Sequence, residues 1–495
     1  MQPPRPGGPV TPHLMRAVPA ALRESCERDV VPLRRAFCVG MAGSGMKGIA
    51  EFLRARGWAV SGSDRSPTPA LVEQFRQLGI TLHAGHSADH LPAALDVLVY
   101  SPAVKPDNPE RLSARSRGVA ECSYPEALGQ VMGERDGFSV TGTHGKSTTT
   151  ALLGHLLQFS GQDPSILCGA EMIGPGRNGV AGSGLRVVVE SCEYRGHFLS
   201  LSPRVIGLLG IEPDHFDCFP TIADAVATYR AFISQLPADG VLVRNADCEW
   251  SRQAADRTRA RQIAVSVVDA AADLFADQIR TSPQGLTLRV HDRLESGPAR
   301  TLQTPLWGNH HAINLLTAVA MAREAGCSWD KIAQGLTTFP GIRRRFEIRR
   351  ESAGVTWIDD YAHHPSAVRT LIDAARDRYP GQRIWCIFQP HQVSRTRILA
   401  NDFARALSAA DEVSLLPVFG AREADSVAAC ELSAGIAAAV NSAGIPATYL
   451  TSLDLLPDVV ETRTLPGDVV LMVGAGDIDR VEHGLTGRLL RHHAS

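Results

Sequence analysis

Short apolar runs rich in β-branched residues recur along this chain, each followed by a glycine-containing turn and then by a helical pattern. That alternation is typical of parallel α/β sheets. In the first part of the chain it predicts strands at 36–40, 58–64 and 97–100, with a helix at 46–56 after the first strand. No period of about 20 to 50 residues repeats, which argues against a solenoid.

The same alternation appears in two further series. The second has a strand at 138–141, a glycine-rich turn, a helix at 146–159 and buried strands at 187–190 and 205–211. The third follows an arginine-rich stretch and contains elements at 355–359, 366–378, 384–388, 412–416 and 469–473.

These series predict an α/β protein with three domains. We expect a disordered tail at 1–30, a Rossmann-like domain at 31–135, a central phosphate-loop ATPase domain at 136–340 and a C-terminal Rossmann-like domain at 341–495. A chain of 495 residues is long enough for this division. Single cores stop growing beyond roughly 250 to 300 residues.

Composition narrows the choice of partners. Lys+Arg of 50 against Asp+Glu of 52 gives a formal charge of -2, so no overall field attracts nucleic acid or an anionic membrane. The ten cysteines form no CxxC pair, which indicates reduced thiols. With neither a signal-peptide pattern nor an apolar run of about 18 residues, we expect a cytoplasmic protein without membrane insertion.

A glycine-rich segment at 40–48 follows the first predicted strand and opens the first predicted helix. Glycines there let the backbone approach a diphosphate, and the helix N-terminus supplies amide donors. Asp64 ends the next strand about 20 residues further on, where such folds place a carboxylate on a ribose. The segment therefore predicts a nucleotide diphosphate site, and the alternative is a tight turn that binds nothing.

The segment at 141–148 reads Thr-Gly-Thr-His-Gly-Lys-Ser-Thr and is similar to a phosphate loop shortened by two residues. Its amides can wrap phosphate oxygens, Lys146 can neutralise them, and the Ser147 hydroxyl can hold Mg²⁺. A lysine at the start of a helix is placed against the helix dipole. That misfit favours an anionic ligand.

Acidic groups follow two of the predicted strands of the second series. Glu190 ends one strand, and Asp214 with His215 comes after the other. Both acids should point from the carboxyl edge of the sheet toward the phosphate loop, where Mg²⁺ prefers oxygen ligands. His215 is an unusual ligand for this ion, so a hydrogen-bonded loop histidine remains the alternative.

Two segments of the third series carry further polar chemistry. The first, at 359–365, reads Asp-Asp-Tyr-Ala-His-His-Pro. Adjacent histidines do not face one another on a helix, so a chelate is not expected, whereas Asp359 or Asp360 can contact a ribose. The second, at 388–397, contains His and Arg residues that can hold carboxylates.

Taken in order, these segments resemble the Mur ligases, whose motifs include GMxGIAE, SGSD, GTHGKTTT, DHMD, GxHNxxN, RRF, DDYAHHP, FQPHR and GAGDI. The resemblance covers roughly residues 35 to 480 and is specific, because DDYAHHP and FQPH are not general nucleotide motifs. The matching segments are 45–51, 61–64, 142–150, 214–217, 308–314, 344–346, 359–365, 388–392 and 474–478.

The resemblance implies an ATP- and Mg²⁺-dependent ligase that joins an amino acid to the carboxylate of a UDP-linked muramic acid through an acyl phosphate. The pattern of motifs implies UDP-N-acetylmuramate and L-alanine as substrates, ADP and phosphate as products, and a place in peptidoglycan precursor synthesis. No nucleic acid partner is implied, and the protein is expected to be a monomer or a homodimer.

The resemblance also assigns residue roles. UDP would be contacted by Gly43, Ser44, Gly45, Asp64 and Ser101. ATP would be bound by Gly142, Thr143, His144, Gly145, Lys146, Ser147, Thr148, Asn314, Arg345 and Asp360, with Asp359 as an alternative to Asp360. Mg²⁺ would be held by Ser147, Glu190 and His215. The expected catalytic residues are Lys146, Glu190, His215, His364 and Arg395, of which His364 and Arg395, with Tyr361, would face the amino acid.

Several positions depart from the family pattern. Val189 and Cys192 replace acidic residues beside Glu190, and the others are Ala42 for Gly, Gly210 for Asn, His311 for Asn and Gln392 for Arg. Some Mur ligases carry a carbamoylated lysine near the metals, but no lysine occurs between 151 and 330. We therefore expect no carbamate here.

Other functions remain open at this stage. A murein peptide ligase would be expected to lack FQPH, and a Mur ligase for another amino acid would share most of the motifs. From other classes, an NAD-dependent oxidoreductase would leave the phosphate loop unexplained. A non-catalytic nucleotide-binding relative would not need Lys146, Glu190 and His215.

Overall fold

The computed structural model describes residues 33–133, 135–352, 354–420, 423 and 426–478. The tail expected at 1–30 lies outside these residues. The chain divides into two compact units, 1–134 and 135–495. Among the described residues, no helix has both the length and the apolar character needed to cross a membrane.

The first unit is built on a five-stranded parallel sheet in the order β3-β2-β1-β4-β5. Its strands are β1 (Arg35–Val39), β2 (Ala59–Asp64), β3 (Thr81–Ala84), β4 (Val97–Tyr100) and β5 (Ala120–Ser123). Its helices are α1 (Ser44–Ala55), α2 (Pro69–Gln77), α3 (Pro109–Ser116) and α4 (Tyr124–Gly133), with a 3-10 turn at Ala88–His90.

The strand order of this first sheet reverses between β1 and β4. The apolar side chains of both strands are buried, as expected for a parallel sheet covered on both faces. In such sheets a ligand crevice forms beyond the carboxyl ends of the strands at the reversal. Gly40 and Ser101 occupy that position and are so close that a Cβ on Gly40 would lie 2.9 Å from the Ser101 Cβ.

The second unit begins with a ten-stranded sheet in the order β15-β14-β13-β12-β11-β10-β6-β9-β7-β8. Its strands are β6 (Asp136–Thr141), β7 (Ser165–Met172), β8 (Arg177–Val180), β9 (Arg186–Glu190), β10 (Val205–Leu208), β11 (Val241–Asn245), β12 (Arg261–Ser266), β13 (Leu274–Ser282), β14 (Gly285–Asp292) and β15 (Arg300–Thr304). Its helices are α5 (Lys146–Phe159), α6 (Ile222–Ile233), α7 (Glu249–Ala255), α8 (His311–Glu324) and α9 (Trp329–Thr337), with a 3-10 segment at Tyr194–Ser200.

Helices α5 and α8 form the centre of the core beneath this sheet. Both are apolar around most of their circumference, because they lie between the sheet and other helices. Gly207 in β10 has no side chain to keep α8 away, since a Cβ there would overlap Met321. The close packing fixes the N-terminus of α5 at the carboxyl ends of β6, β9 and β10.

A third sheet follows within the same unit, in the order β16-β17-β21-β18-β19-β20, parallel except for the β16–β17 pair. Its strands are β16 (Glu347–Ser352), β17 (Val355–Asp360), β18 (Ile384–Phe388), β19 (Glu412–Leu415), β20 (Ala447–Tyr449) and β21 (Val469–Val473). Its helices are α10 (Pro365–Arg378), α11 (Val393–Ile398), α12 (Ala400–Leu407), α13 (Ser426–Ser442) and α14 (Leu456–Arg463), with a 3-10 turn at Leu453–Leu455.

The three sheets confirm the predicted α/β class with three domains. The predicted strand at 205–211 is three residues too long, because the chain is extended only from Val205 to Leu208. Beyond that point the chain turns to meet the phosphate loop, and the Gly210 carbonyl accepts a hydrogen bond from the Thr143 amide at 2.7 Å. The antiparallel extension β13–β15 of the central sheet was not predicted.

Candidate active site

A cavity of about 390 Å³ opens where the carboxyl ends of the central strands meet the C-terminal domain. Every residue predicted to bind ATP or Mg²⁺, apart from Gly142, lines it. These lining residues are Thr143, His144, Gly145, Lys146, Ser147, Thr148, Glu190, His215, Asn314, Arg345 and Asp360.

The phosphate loop has a backbone that only glycine adopts easily. Gly142 has φ +135°, and a Cβ there would lie 2.9 Å from the Leu209 Cβ. Gly145 has φ +79°, and a Cβ there would overlap the Oδ1 atom of Asn314. Both glycines therefore satisfy a backbone conformation and a close contact at once.

Lys146 folds back over its own loop. Its Nζ donates hydrogen bonds to the carbonyls of Gly142 at 2.5 Å and Thr143 at 3.0 Å, and to a carboxylate oxygen of Glu193 at 3.1 Å. Burial alone would lower the pKa of Lys146, but the surrounding negative charge, Glu193 foremost, outweighs it and raises the pKa. The ammonium is therefore kept protonated beside the cavity.

Glu193 is a site residue that the sequence did not reveal. Its side chain is only 4% exposed, and its carboxylate lies 3.1 Å from Lys146 and 3.7 Å from the Nε2 atom of His215. It lies outside any strand, so no periodic pattern marks it. The one feature of the sequence that could have indicated Glu193 is its position three residues after Glu190, because functional side chains often follow the carboxyl end of a strand.

Ser147 and Glu190 provide an oxygen-rich corner of the cavity. The Ser147 hydroxyl donates to one carboxylate oxygen of Glu190 at 3.0 Å, and the Gly169 amide donates to the other at 2.6 Å. Hydroxyl and carboxylate oxygens are the donors that Mg²⁺ prefers. The donor set therefore fits the predicted ion. Val189, which replaces an acidic residue of the family pattern, is fully buried in β9 and therefore contributes to the core.

His215 stands beside this corner in a left-handed backbone conformation with φ +52°. Its Nδ1 atom is buried and has no hydrogen-bond partner among the described residues. Buried polar atoms normally have partners, and an atom without one suits a ligand position. The imidazole thus fits a metal-holding role better than that of a hydrogen-bonded loop histidine.

Asn314 and His311 are neighbours on the first turn of α8. The amide of Asn314 lies 3.2 Å from the His311 Nδ1 atom. Burial holds the pKa of His311 well below its ordinary value, so the ring is neutral and can accept this hydrogen bond. His311, which stands where the family has Asn, therefore orients Asn314 in this chain.

The adjacent acids Asp359 and Asp360 have different surroundings. Asp359 is buried in contact with two arginines, 3.1 Å from Arg349 and 3.4 Å from Arg344. Asp360 lines the cavity and accepts hydrogen bonds from the amides of Phe346 at 2.7 Å and Ala362 at 2.8 Å. These positions favour Asp360 over Asp359 for contact with a ribose.

Of the three residues expected at the amino-acid end, Tyr361 lines the main cavity, whereas His364 and Arg395 do not. Arg395 is buried and forms an ion pair with Asp214, in which its Nε at 2.9 Å and a terminal nitrogen at 2.7 Å donate to the same carboxylate oxygen. Burial alone would raise the pKa of Asp214, but interaction with His215 and with Arg395 outweighs it and holds this pKa far below its usual range. His363, rather than His364, lines the cavity beside Tyr361.

His364 belongs to a cluster at the edge of the cavity that joins the two domains of this unit, and the other members of this cluster line the cavity. Its Nδ1 atom lies 2.8 Å from the Ser366 hydroxyl, which donates to Glu212 at 3.0 Å and lies 3.3 Å from the Nε2 atom of His144. Hydrogen bonding to His144 is the main reason that the pKa of Glu212 is lowered to about 2. Burial lowers the pKa of His364.

One residue of the FQPH motif, Gln389, holds two segments of the C-terminal domain together. Gln389 donates to the Asp477 carboxylate at 2.8 Å and accepts from the Ile478 amide at 3.1 Å, which ties FQPH to GAGDI. Gln392 precedes α11 with φ +69°, and its amide donates to the Phe419 carbonyl. Gln392 is not among the residues that line the main cavity.

In the first unit, the predicted UDP loop is partly closed by its own domain. Asp64 accepts a hydrogen bond from the Ala42 amide at 2.9 Å, so one carboxylate oxygen supports the loop. A Cβ on Gly45 would lie 2.6 Å from the Tyr124 ring. The Tyr124 ring therefore leaves no room for a side chain at position 45. Gly43 has more open space around it than Gly45.

Three α/β domains and a cavity built on a phosphate loop define a nucleotide-binding enzyme. Comparison with protein families narrows this class. Residues 37–136 match the catalytic domain of the Mur ligase family, residues 185–322 the Mur ligase middle domain, and residues 344–476 the glutamate ligase domain of Mur ligases. The chain belongs to the Mur ligase family.

Individual relatives are similar over nearly their whole length. The UDP-N-acetylmuramate–L-alanine ligase of Kineococcus radiotolerans is 38% identical over 91% of this chain and 95% of its own. That of Clostridium acetobutylicum is 33% identical over 90% and 95%, respectively. The crystal structure of the Thermotoga maritima UDP-N-acetylmuramate-alanine ligase has a TM-score of 0.79 at 26% identity, covering 92% of this chain and 99% of that one.

Proposed function

We propose that this protein uses ATP to join L-alanine to the lactyl carboxylate of UDP-N-acetylmuramate, as a cytoplasmic step of peptidoglycan precursor synthesis. The observation that carries the proposal is the single cavity shared by the phosphate loop and by Asp360, Tyr361 and His363 of the C-terminal domain. Relatives above 30% identity that carry this activity in their names support the choice of substrates.

The reaction has two steps. A carboxylate oxygen of the muramoyl group attacks the terminal phosphorus of ATP, so ADP leaves and an acyl phosphate forms. The amine of L-alanine then attacks the acyl carbon, phosphate leaves, and the nitrogen loses a proton as the amide forms. The first step brings two anions together, so positive charge at the phosphates lowers its barrier.

Lys146 supplies part of that charge. Its ammonium is held at the loop by two carbonyls and Glu193, and phosphate oxygens entering the loop would replace some of these contacts. Ser147, Glu190 and His215 are the residues that would hold Mg²⁺. When bound, this ion would neutralise charge on the phosphates.

The remaining assignments follow the predicted roles. We assign adenine and ribose contacts to Asn314 and Asp360, a phosphate contact to Arg345, and UDP contacts to Gly43, Ser44, Gly45, Asp64 and Ser101. Arg395 and His364 remain proposed for the amino-acid end. Asp214 binds the Nε and one terminal nitrogen of Arg395, so a substrate carboxylate would use the remaining donors of the guanidinium or replace Asp214.

Phosphate release from ATP tests this function. We expect release only when UDP-N-acetylmuramate and an amino acid are both present, with L-alanine giving the highest kcat/KM in a panel. A murein tripeptide in place of the amino acid serves as the competing substrate. Faster turnover with the tripeptide would identify a murein peptide ligase, and release that needs no second substrate would contradict ligation.

A further inference from the structure

The cluster that joins the central and C-terminal domains brings two imidazoles and one carboxylate within reach of one another. We propose that His144, Glu212 and His364 bind a divalent transition metal ion of the zinc class. The ion would tie the phosphate loop's domain to the C-terminal domain. This proposal concerns a site other than the Mg²⁺ corner and does not rest on the proposed ligase reaction.

The ligand atoms are already gathered. The Nε2 atom of His144 lies 3.4 Å from Glu212 Oε2, the Nδ1 atom of His364 lies 3.8 Å from the same oxygen, and all three lie within 4.8 Å of one another. In a tetrahedral zinc site with bonds of about 2.1 Å, neighbouring ligand atoms are about 3.4 Å apart. Small side-chain movements would therefore complete the geometry.

A fourth donor atom, the hydroxyl oxygen of Ser366, lies next to these three ligand atoms. The Ser366 hydroxyl is 2.8 Å from His364, 3.0 Å from Glu212 and 3.3 Å from His144. It marks a point that all three ligand atoms face. The hydroxyl can serve as the fourth ligand or leave that place to water, as in catalytic zinc sites with three protein ligands.

The donor types select the ion. Two imidazoles and one carboxylate suit Zn²⁺, Co²⁺ and Ni²⁺, whereas Mg²⁺ prefers oxygen ligands. The Ser147–Glu190 corner offers oxygens, so the cavity has two sites of different character. His364 is buried, while the side chains of Glu212 and His144 are 44% and 33% exposed, which leaves the ion a route of entry.

A metal ion at this site would link the central and C-terminal domains. His144 and Glu212 come from the central domain, and His364 and Ser366 come from the start of α10 in the C-terminal domain. A ligand that binds only the folded, joined state stabilises it by mass action. Binding should therefore raise the midpoint of thermal unfolding in the absence of nucleotide.

The test uses the full-length protein, stripped of metal and free of nucleotide, titrated with Co²⁺. We expect one saturable equivalent with the visible absorption of four-coordinate cobalt, and a rise in the unfolding midpoint. Glu212→Gln and His364→Gln should each weaken binding at least tenfold. Absence of the absorption, or its persistence in both variants, would overturn the proposal.

Matched variants separate this site from others. Asp277→Asn removes a carboxylate 3.2 Å from the Nε2 atom of His291, a pair outside the cavity, and should leave the titration unchanged. Glu190→Gln removes the negative charge of the Mg²⁺ corner and should also leave the cobalt absorption unchanged. Loss of the signal in Glu190→Gln would place the ion at the Mg²⁺ corner and overturn the proposal.

A measurement without variants covers the case in which a substitution prevents folding, as judged by circular dichroism. X-ray absorption at the zinc edge of the unaltered protein, loaded with one equivalent of Zn²⁺, should show two imidazole ligands with oxygen completing the shell. A shell with fewer than two imidazoles would contradict the proposed ligand set.

Discussion

Two glycine-rich turns of this chain hold the same place in their sheets but differ in chemistry. One follows β1 and opens α1; the other follows β6 and opens α5. In the first, Asp64 supports the loop and the Tyr124 ring covers Gly45. In the second, the loop faces a cavity of about 390 Å³ that is lined by charged and polar groups.

The lysine that follows each turn shows the difference most clearly. Lys47 is the fourth residue of α1, and its Nζ lies 4.0 Å from the Glu51 carboxylate one turn further along the helix. Lys146 is the first residue of α5, and its Nζ binds the loop carbonyls and Glu193. The two lysines differ by three positions relative to the start of their helices. This difference places the ammonium of Lys47 beside its own helix and that of Lys146 over the loop.

The comparison teaches that a glycine turn before a helix defines a place for an anion, while the surrounding acids define the chemistry. The phosphate loop has Glu190 and Glu193 from one side and Asp214 with His215 from another. These groups can hold both a lysine and a metal ion. The glycine turn after β1 has Asp64 as its support, which suits binding without group transfer.

The largest expected effect comes from removing the lysine of the phosphate loop. Lys146→Ala leaves the buried Glu193 without its cation, which we expect to cost about 3 kcal/mol of stability. The double variant Lys146→Met with Glu193→Gln removes both charges and should regain most of that stability. Its turnover should still fall about a thousandfold, because charge at the phosphates is lost.

Unfolding curves and phosphate release measure the two effects separately. Lys331→Met is the matched control, because Lys331 lies on α9 with its Nζ 5.5 Å from the Phe159 ring at the far end of α5. It should turn over like the parent protein. If the double variant retained turnover within about tenfold of the parent, the phosphate-loop assignment would be wrong.

A smaller effect on activity is expected from a substitution at the Mg²⁺ corner formed by Ser147 and Glu190. Glu190→Gln keeps the hydrogen bond from Ser147 possible but removes the negative charge that favours Mg²⁺. We expect the Mg²⁺ concentration for half-maximal activity to rise about tenfold. Glu249→Gln, an exposed residue at the start of α7, is the control for loss of one charge. Overlapping Mg²⁺ titration curves for Glu190→Gln and the parent would refute this role.

The closed turn after β1 allows a test of stability. Gly45→Ala places a methyl group against Tyr124 and should destabilise the first unit by about 1 to 3 kcal/mol. Gly43→Ala is the matched control, because the nearest atom to its Cβ would be the Gly40 carbonyl oxygen at 3.6 Å. Tyr124→Ala added to Gly45→Ala should give a loss smaller than the sum of the two.

Denaturant unfolding of the four variants measures these values. Equal stability of Gly45→Ala and Gly43→Ala would show that Tyr124 moves aside without cost. In that case the first turn is as open as the second, and the contrast between them would not hold.

The strand–turn–helix order of both turns was predictable, because apolar runs and glycines are local signals. The bounds of α5 and β18 agree with the sequence at both ends. The contacts of Glu193, Glu212 and Ser366 were not predictable in the same way. Ser366 reaches Glu212 across 154 residues of chain, and no periodic pattern in one sequence records such a contact.

Motif resemblance had a related limit. It marked FQPH as specific but could not show that Gln389 binds the Asp477 side chain and the Ile478 amide and thus joins two chain segments. It also marked His364 and Arg395 for the amino acid, whereas their partners here are Ser366 and Asp214. A motif records which residues are needed, and the packing shows what each one contacts.

The smallest expected effect is none: activity should not depend on added bicarbonate. A lysine carbamate needs an unprotonated amine, and it can act as a metal ligand only where its carboxylate reaches the ion. Lys146 is near the metal corner, but its raised pKa keeps it protonated and three acceptors hold its Nζ. Lys331 is the first lysine after the lysine-free stretch, and its Nζ lies over the ring of Phe159. Phe159 is thirteen residues further along α5 than Lys146, so the two lysines are separated by roughly 20 Å at 1.5 Å per residue.

Turnover in degassed buffer should therefore equal turnover with bicarbonate, and intact mass should show no carbamate. Bicarbonate-dependent recovery of activity would mean that one of these two lysines takes a different position during the reaction.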